Sequence, residues 1–145
     1  MRLLFTGLFL LAFLNSEAQQ SQIEFSLLFG NDFSGDLVSV KLNGLDVAKN
    51  RKLKPTMISP ESLVITQNSE SLTVKLVTDT AQILNKIPIV ASKLNVHLSL
   101  NGKNFYYSLN LKKGKFLIVH YALYRLGWLK WKVPKISQED KIILI

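Results

Sequence analysis

Apolar residues occupy every second position in several short segments of this chain, and this pattern constrains its fold more than any other feature. It is clearest in residues 23–29, 38–42, 72–76 and 95–101. Because successive side chains of a β-strand point to opposite faces, a period of two predicts strands with one buried face. The pattern therefore indicates an all-β protein.

Turn signals separate these segments. Asn101-Gly102 joins the strand at 95–101 to a second strand at 105–111, because Asn-Gly accepts the positive φ of a tight hairpin turn. The run Lys112-Lys113-Gly114-Lys115 predicts another turn before residues 116–121. Those residues are apolar on both faces, which is typical of a central strand covered on two sides.

The middle of the chain carries weaker signals. Residues 50–55 are predicted to be a basic loop after the Asn43-Gly44 turn, and residues 63–66 a short strand. Residues 81–93 are expected to form either a helical turn or an edge segment, since Pro88 disfavours a central strand.

Together these segments predict about seven to nine short strands in a two-sheet antiparallel β-sandwich of transthyretin-like or Ig-like topology. A chain of 145 residues with 48% hydrophobic residues can bury one core but is short for two. It has no cysteine, which excludes disulfides, thiolate zinc sites and thiol catalysis.

The N-terminus resembles a secretory signal peptide. Arg2 precedes a mostly apolar run at residues 3–14, and Ser16 and Ala18 supply small residues at a cleavage site. As a helix this run is only ~18 Å long, whereas the hydrocarbon core of a bilayer is ~30 Å thick. We therefore expect residues 1–18 to be removed near Ala18, leaving a single β-sandwich domain at 19–145. The absence of thiols in an exported chain favours a bacterial periplasm or cell surface over animal secretion. We expect a secreted, periplasmic or cell-surface protein.

The last third of the chain resembles the carboxypeptidase-regulatory-like, or transthyretin-like, β-sandwich module. The resemblance is carried by Gly102-Lys103-Asn104-Phe105, Leu109-Asn110-Leu111, the run from Lys113 to Val119, Gly127-Trp128, and a polar turn at residues 137–140 before a closing apolar strand. It implies a sandwich fold and a structural or interaction role without catalysis. Residues 142–145 would be the closing strand.

The sequence has few of the residues and motifs that are typical of enzymes. It holds two histidines, His97 and His120, and lacks a Gly-x-Ser-x-Gly elbow, a His-Glu-x-x-His motif and a phosphate-binding glycine loop. We expect ordinary surface or hydrogen-bonded histidines, no catalytic residue, no metal site and no cofactor; a small hydrolase using either histidine is the minor alternative. Asn31, Asp32 and Asp36 lack the spacing of a calcium loop and favour an Asx turn.

The excess of basic over acidic residues is the most informative feature of the composition for function, and it gives a net charge of +8. Strand alternation places Trp128 with Lys130 and Lys132 on one face, and predicts that Trp131 on the other face lies in the core. The candidate ligand surface is therefore basic and aromatic. It comprises Arg125, Trp128, Lys130 and Lys132, together with Lys112, Lys113 and Lys115 from the preceding turn. Alternatively, these lysines only keep edge strands from pairing and the protein in solution.

These observations favour an exported, non-enzymatic structural or interaction module. Its expected partner is an anionic polysaccharide, the envelope or membrane surface, or another envelope protein; export argues against nucleic acid. The first alternative is a carbohydrate-binding module that recognises neutral glycan through Trp128 and tyrosines such as Tyr106, Tyr121 and Tyr124. The second is an assembly subunit in which residues 142–145 pair with the sheet edge of another chain.

Overall fold

The computed structural model describes residues 23–30, 32–54, 63–76 and 80–141, and these form two β-sheets. Their ten strands are β1 (Phe25–Phe29), β2 (Leu37–Leu42), β3 (Leu45–Lys52), β4 (Leu63–Gln67), β5 (Leu72–Leu76), β6 (Gln82–Leu84), β7 (Lys93–Leu100), β8 (Lys103–Asn110), β9 (Phe116–Leu126) and β10 (Leu129–Glu139). A 3-10 turn at Leu111–Lys113 follows β8. The predicted signal peptide at 1–18, Asn31 and the predicted closing strand at 142–145 lie outside the described residues.

The two sheets make an all-β sandwich, which confirms the predicted fold class. One sheet has six strands in the order β10-β9-β1-β4-β5-β6, and the other has four in the order β3-β2-β7-β8. Neighbouring strands are antiparallel with one exception, β1 and β9, which run parallel over Ser26–Phe29 and Phe116–Val119. Within the described ranges, no helix is long and apolar enough to cross a membrane.

The predicted alternation supplies the core between the sheets. Each strand that showed a period of two buries its apolar row, and burial of each large side chain stabilises the fold by roughly 1.5–3 kcal/mol. The largest fully buried side chains are Phe29, Phe33, Leu27, Leu42, Leu53, Leu63, Ile65, Leu72, Leu94, Leu98, Leu117 and Val38.

Two segments differ from the sequence prediction, and a third shows which of two predicted possibilities is right. Residues 50–52 of the predicted basic loop at 50–55 belong to edge strand β3, because the Asn43-Gly44 turn folds this segment back onto β2. Residues 137–139 continue β10 instead of turning, since they stay paired with β9 as far as Phe116. Of the two possibilities for residues 81–93, the edge segment is confirmed as β6, which pairs with β5.

The hairpin of β9 and β10 extends beyond the sandwich. Each strand has eleven residues, and the two remain paired from Phe116 and Glu139 to Leu126 and Leu129. Pro134 is buried and Tyr121, its partner, is half-buried, but every residue from 123 to 132 is exposed. We call residues 122–133 the projecting hairpin.

Candidate functional site

The projecting hairpin has two chemically distinct faces, which follow from its cross-strand register. One face, the apolar face, is made of three directly opposed pairs: Ala122 with Val133, Tyr124 with Trp131, and Leu126 with Leu129. The other, the basic face, carries Leu123, Arg125, Lys130 and Lys132. Gly127 and Trp128 form the turn between the strands.

The apolar face has no partner within the described chain. Trp128 is 91% exposed and Leu126 is 72% exposed, values that are normal for a charged side chain rather than for these residues. The rings of Tyr124 and Trp131 stack on each other with centroids 6.0 Å apart. The structure therefore contains a continuous exposed apolar patch, a feature that marks interaction sites in globular proteins.

The prediction that Trp131 lies in the core is wrong, because Trp131 is 41% exposed. Strand alternation assigns a side chain to a face of the sheet, but that face is buried only where another sheet covers it. Trp131 shares its face with Val133 and Lys135, opposite to the face on which Pro134 and Ile136 are buried, so its side chain points away from the other sheet. The predicted exposure of Trp128 is confirmed.

The basic face concentrates three cations, of which Lys132 borders a pocket that Asp32 and Asp36 also line. Arg125 lies directly opposite Lys130, a like-charge pairing that destabilises a hairpin by roughly 0.2–1 kcal/mol. The Lys132 ammonium lies 5.7 Å from the centre of the Tyr121 ring. Among the described residues the salt bridge found joins Lys41 to Asp46, and none involves these three cations.

The sequence on both sides of the hairpin adds to its positive charge. Between Asp79 and Glu139 the chain has no acidic residue at all. The basic residues in that interval are Lys86, Lys93, Lys103, Lys112, Lys113, Lys115, Arg125, Lys130, Lys132 and Lys135. An anionic partner would therefore be attracted to this part of the protein before contact.

The structure splits the predicted ligand surface in two. Arg125, Trp128, Lys130 and Lys132 lie together on the projecting hairpin. Lys112, Lys113 and Lys115 precede the opposite end of β9, and the ten residues from Lys115 to Arg125 span ~33 Å in a strand. The expectation that the preceding turn adjoins the hairpin surface is wrong, because β9 is longer than the sequence indicated.

Sequence reasoning missed the apolar half of the site. Tyr124, Leu126, Leu129 and Trp131 alternate with Arg125 and Lys130 on both sides of the Gly127-Trp128 turn. Such mirrored alternation about a turn is the signal of a two-faced hairpin. It does not reveal that the apolar face is uncovered.

The two histidines lie on different sheets, His97 on β7 and His120 on β9. His97 Nε2 is 3.1 Å from Asn104 Oδ1, and His120 Nε2 is 2.9 Å from Ser137 Oγ. Both are hydrogen-bonded, which is one of the two predicted settings. Over the described ranges, no three His, Asp or Glu side chains group so as to hold a metal ion.

The outer face of the four-stranded sheet carries a second cluster. Register aligns Asp46, Lys41, His97 and Tyr106 in one row across its four strands. Tyr106 is 73% exposed and stacks on His97 with centroids 4.4 Å apart. These residues border a shallow depression of about 470 Å³ whose other lining includes Asn95 and Ser108. Flat rings beside amide and hydroxyl groups suit a sugar.

A third cluster anchors the base of the hairpin. Asp36 accepts a hydrogen bond from Asn101 Nδ2 at 2.6 Å and another from the Tyr121 hydroxyl. Burial raises the pKa of Tyr121, and the nearby charge of Asp36 and the hydrogen bond to it raise it further. The Asp36 carboxylate is thus engaged in fixing the loop after β1 against β9.

Searches against protein-family models, curated proteins and solved structures return no match to this chain. The resemblance to the transthyretin-like module stays a prediction from the sequence.

Proposed function

We propose that this protein is an exported, non-enzymatic interaction module that binds an anionic surface through the projecting hairpin. One observation carries the proposal: three cations without a salt-bridge partner in the described chain share a hairpin with an exposed apolar face. The exported location rests on the signal-like residues 1–18.

The energetics favour such a surface. A Lys or Arg near an anionic lipid surface contributes about 1 kcal/mol, so three cations contribute about 3 kcal/mol at ordinary ionic strength. Sulfate, carboxylate and phosphate groups all supply the negative charge, and polysaccharides and lipids both carry them. The like charges of Arg125 and Lys130 lie directly opposite each other and lower hairpin stability, and an anion between them would remove that cost.

The test compares two variants with the same change of charge, in the mature chain 19–145. In the hairpin variant Arg125, Lys130 and Lys132 become Gln; in the control Lys112, Lys113 and Lys115 become Gln. Binding to heparin and to vesicles containing phosphatidylglycerol is measured at low and high salt. We expect the hairpin variant to lose about a hundredfold in affinity, from about 1 kcal/mol per cation. Equal losses in both variants, or binding that ignores salt, would contradict the proposal.

The Tyr106 cluster supports a second candidate, the binding of a neutral glycan on the outer face of the four-stranded sheet. A sugar ring stacked on Tyr106 would meet His97 and the amide of Asn95. High salt should not weaken this contact, because ring stacking does not depend on charge. Salt screens only ionic interactions, whose reach is ~8 Å near physiological ionic strength. Glycan binding that persists in high salt, is lost in Tyr106→Ala and survives in the hairpin variant would favour it.

A further inference from the structure

A hydrated polyanion would use only half of the hairpin. Arg125, Lys130 and Lys132 suffice to bind it, and the six side chains of the apolar face and Trp128 would stay in water. An occupant that covers both faces must combine negative charge with a hydrocarbon layer.

We propose that the projecting hairpin inserts into the interface of an anionic lipid membrane, with its apolar face and Trp128 at the boundary of headgroups and acyl chains. This inference rests on the proposed function, and it names a lipid as the anionic surface. Arg125, Lys130 and Lys132 contact the headgroup phosphates from the opposite face, with their aliphatic stems along the apolar layer.

The dimensions of the hairpin fit this depth. Five residues in each strand lie between the Tyr121–Pro134 pair and the turn, a length of ~17 Å. Interfacial elements bury their apolar face ~5–10 Å into the headgroup and acyl boundary, whereas a span requires ~30 Å. Tyr124, Trp128 and Trp131 are of the type enriched at this level, because each ring has an apolar body and a polar atom.

The backbone also limits the depth. β1 pairs with β9 only as far as Val119, so beyond that point the described strand has β10 as its one neighbour. The free edges of such a ribbon carry N–H and C=O groups that cost several kcal/mol each when buried in hydrocarbon without a partner. Within the headgroup layer, water satisfies them.

Charge argues against a second copy of the chain as the occupant. Two copies joined through their apolar faces would leave Arg125, Lys130 and Lys132 of both on the outer sides, where they add to the positive charge and have no anionic partner. A membrane rich in anionic lipid has the complementary charge instead.

The chain supplies its own reporter of insertion. It contains two tryptophans, Trp128 and Trp131, and both lie on the hairpin. Their fluorescence is recorded while the mature chain is titrated with vesicles of phosphatidylcholine, with or without phosphatidylglycerol. We expect a blue shift, and quenching by lipids brominated near the headgroup, with anionic vesicles only. Quenching by lipids brominated near the chain ends should be weaker.

A pair of matched variants isolates the apolar contribution. Leu126→Ser with Leu129→Ser removes two apolar side chains from the hairpin, and Leu37→Ser with Leu45→Ser removes two of comparable exposure from the four-stranded sheet. At roughly 1.5–3 kcal/mol for each buried Leu, the hairpin pair should weaken vesicle binding by about a hundredfold or more. It should leave heparin binding unchanged, and the control pair should change neither.

The outcomes separate the two proposals. Binding to anionic vesicles without a blue shift or quenching would overturn insertion while the anionic-surface function stands. Binding to neither heparin nor vesicles would overturn both. A blue shift that appears without lipid as the protein concentration rises, together with a larger species on sizing, would assign the apolar face to a second copy and overturn insertion.

Discussion

At the scale of single residues, the tightest constraint is at Gly114, before β9. A Cβ there would lie 2.8 Å from the backbone nitrogen of Glu139 and 2.9 Å from its carbonyl carbon and oxygen. Gly114 thereby lets the end of β10 pack against the start of β9. The sequence predicted the turn from Lys-Lys-Gly-Lys, but the reason for glycine lies 25 residues further along the chain.

We expect Gly114→Ala to destabilise the protein by about 1–3 kcal/mol, since backbone atoms cannot give way as a flexible side chain would. Denaturant unfolding of the mature chain measures this. Gly30→Ala is the control, because the nearest atom to its added Cβ is at 3.8 Å, an ordinary contact. Equal stability of the two variants would show that β10 moves aside freely.

At the scale of elements, two Asn-Gly turns join the strands of the four-stranded sheet to one another. Asn43 and Asn101 both have positive φ, 48° and 49°. The side chain of Asn43 accepts from the Asn95 backbone at 2.8 Å, and that of Asn101 accepts from the Leu37 backbone at 2.9 Å. Each turn thus closes its own hairpin and also extends the pairing of β2 with β7. The dipeptides predicted the turns, whereas the second role depends on which strand lies alongside.

Asn101→Ala should lower the free energy of unfolding by about 1–3 kcal/mol. It removes the acceptor for the Leu37 N–H and a donor to Asp36. It also places alanine, which adopts the left-handed region less readily than asparagine, at positive φ. Asn104→Ala, on the exposed start of β8, is the matched control and should change stability little. Thermal or urea unfolding distinguishes them, and a control as destabilised as Asn101→Ala would refute the role of the turn.

The elements also show where the periodic pattern succeeds and fails. It located β1, β2, β5 and β7 because both neighbours and the opposite sheet enforce their alternation. It failed for β3, an edge strand whose exposed face carries Lys49 and Lys52. An edge strand is held by backbone pairing to one partner, and backbone pairing constrains the polarity of its side chains less than burial does.

At the scale of the whole molecule, Asp36 in the loop between β1 and β2 contacts Tyr121 on β9, and this contact makes stability depend on alkaline pH. The pKa of Tyr121 is raised above 10.0 by burial first and by Asp36 second. Below pH 10.0 the phenol is protonated in both the folded and the unfolded chain. Above it the unfolded chain loses the proton first, so the contribution is lost as the pH rises through the folded-state pKa.

We therefore expect the free energy of unfolding to decline above pH 10.0, and to decline less steeply in Tyr121→Phe. Asp36→Asn should lie between the two, because burial continues to act when the charge is removed. Urea unfolding at a series of pH values provides the curves. Parallel curves for the three proteins would show that Tyr121 titrates alike in the folded and unfolded chains.

The sequence by itself determined that this chain forms β-strands and which side of most strands is apolar, because alternation is a local property of residues two apart. Only the tertiary structure decided which apolar sides are covered. Val119 and Leu123 lie on the same face of β9, yet Val119 faces the opposite sheet and is buried while Leu123 lies beyond it and is exposed. The physical reason is that burial requires a second surface, and the position of that surface is set by contacts between residues far apart in the chain.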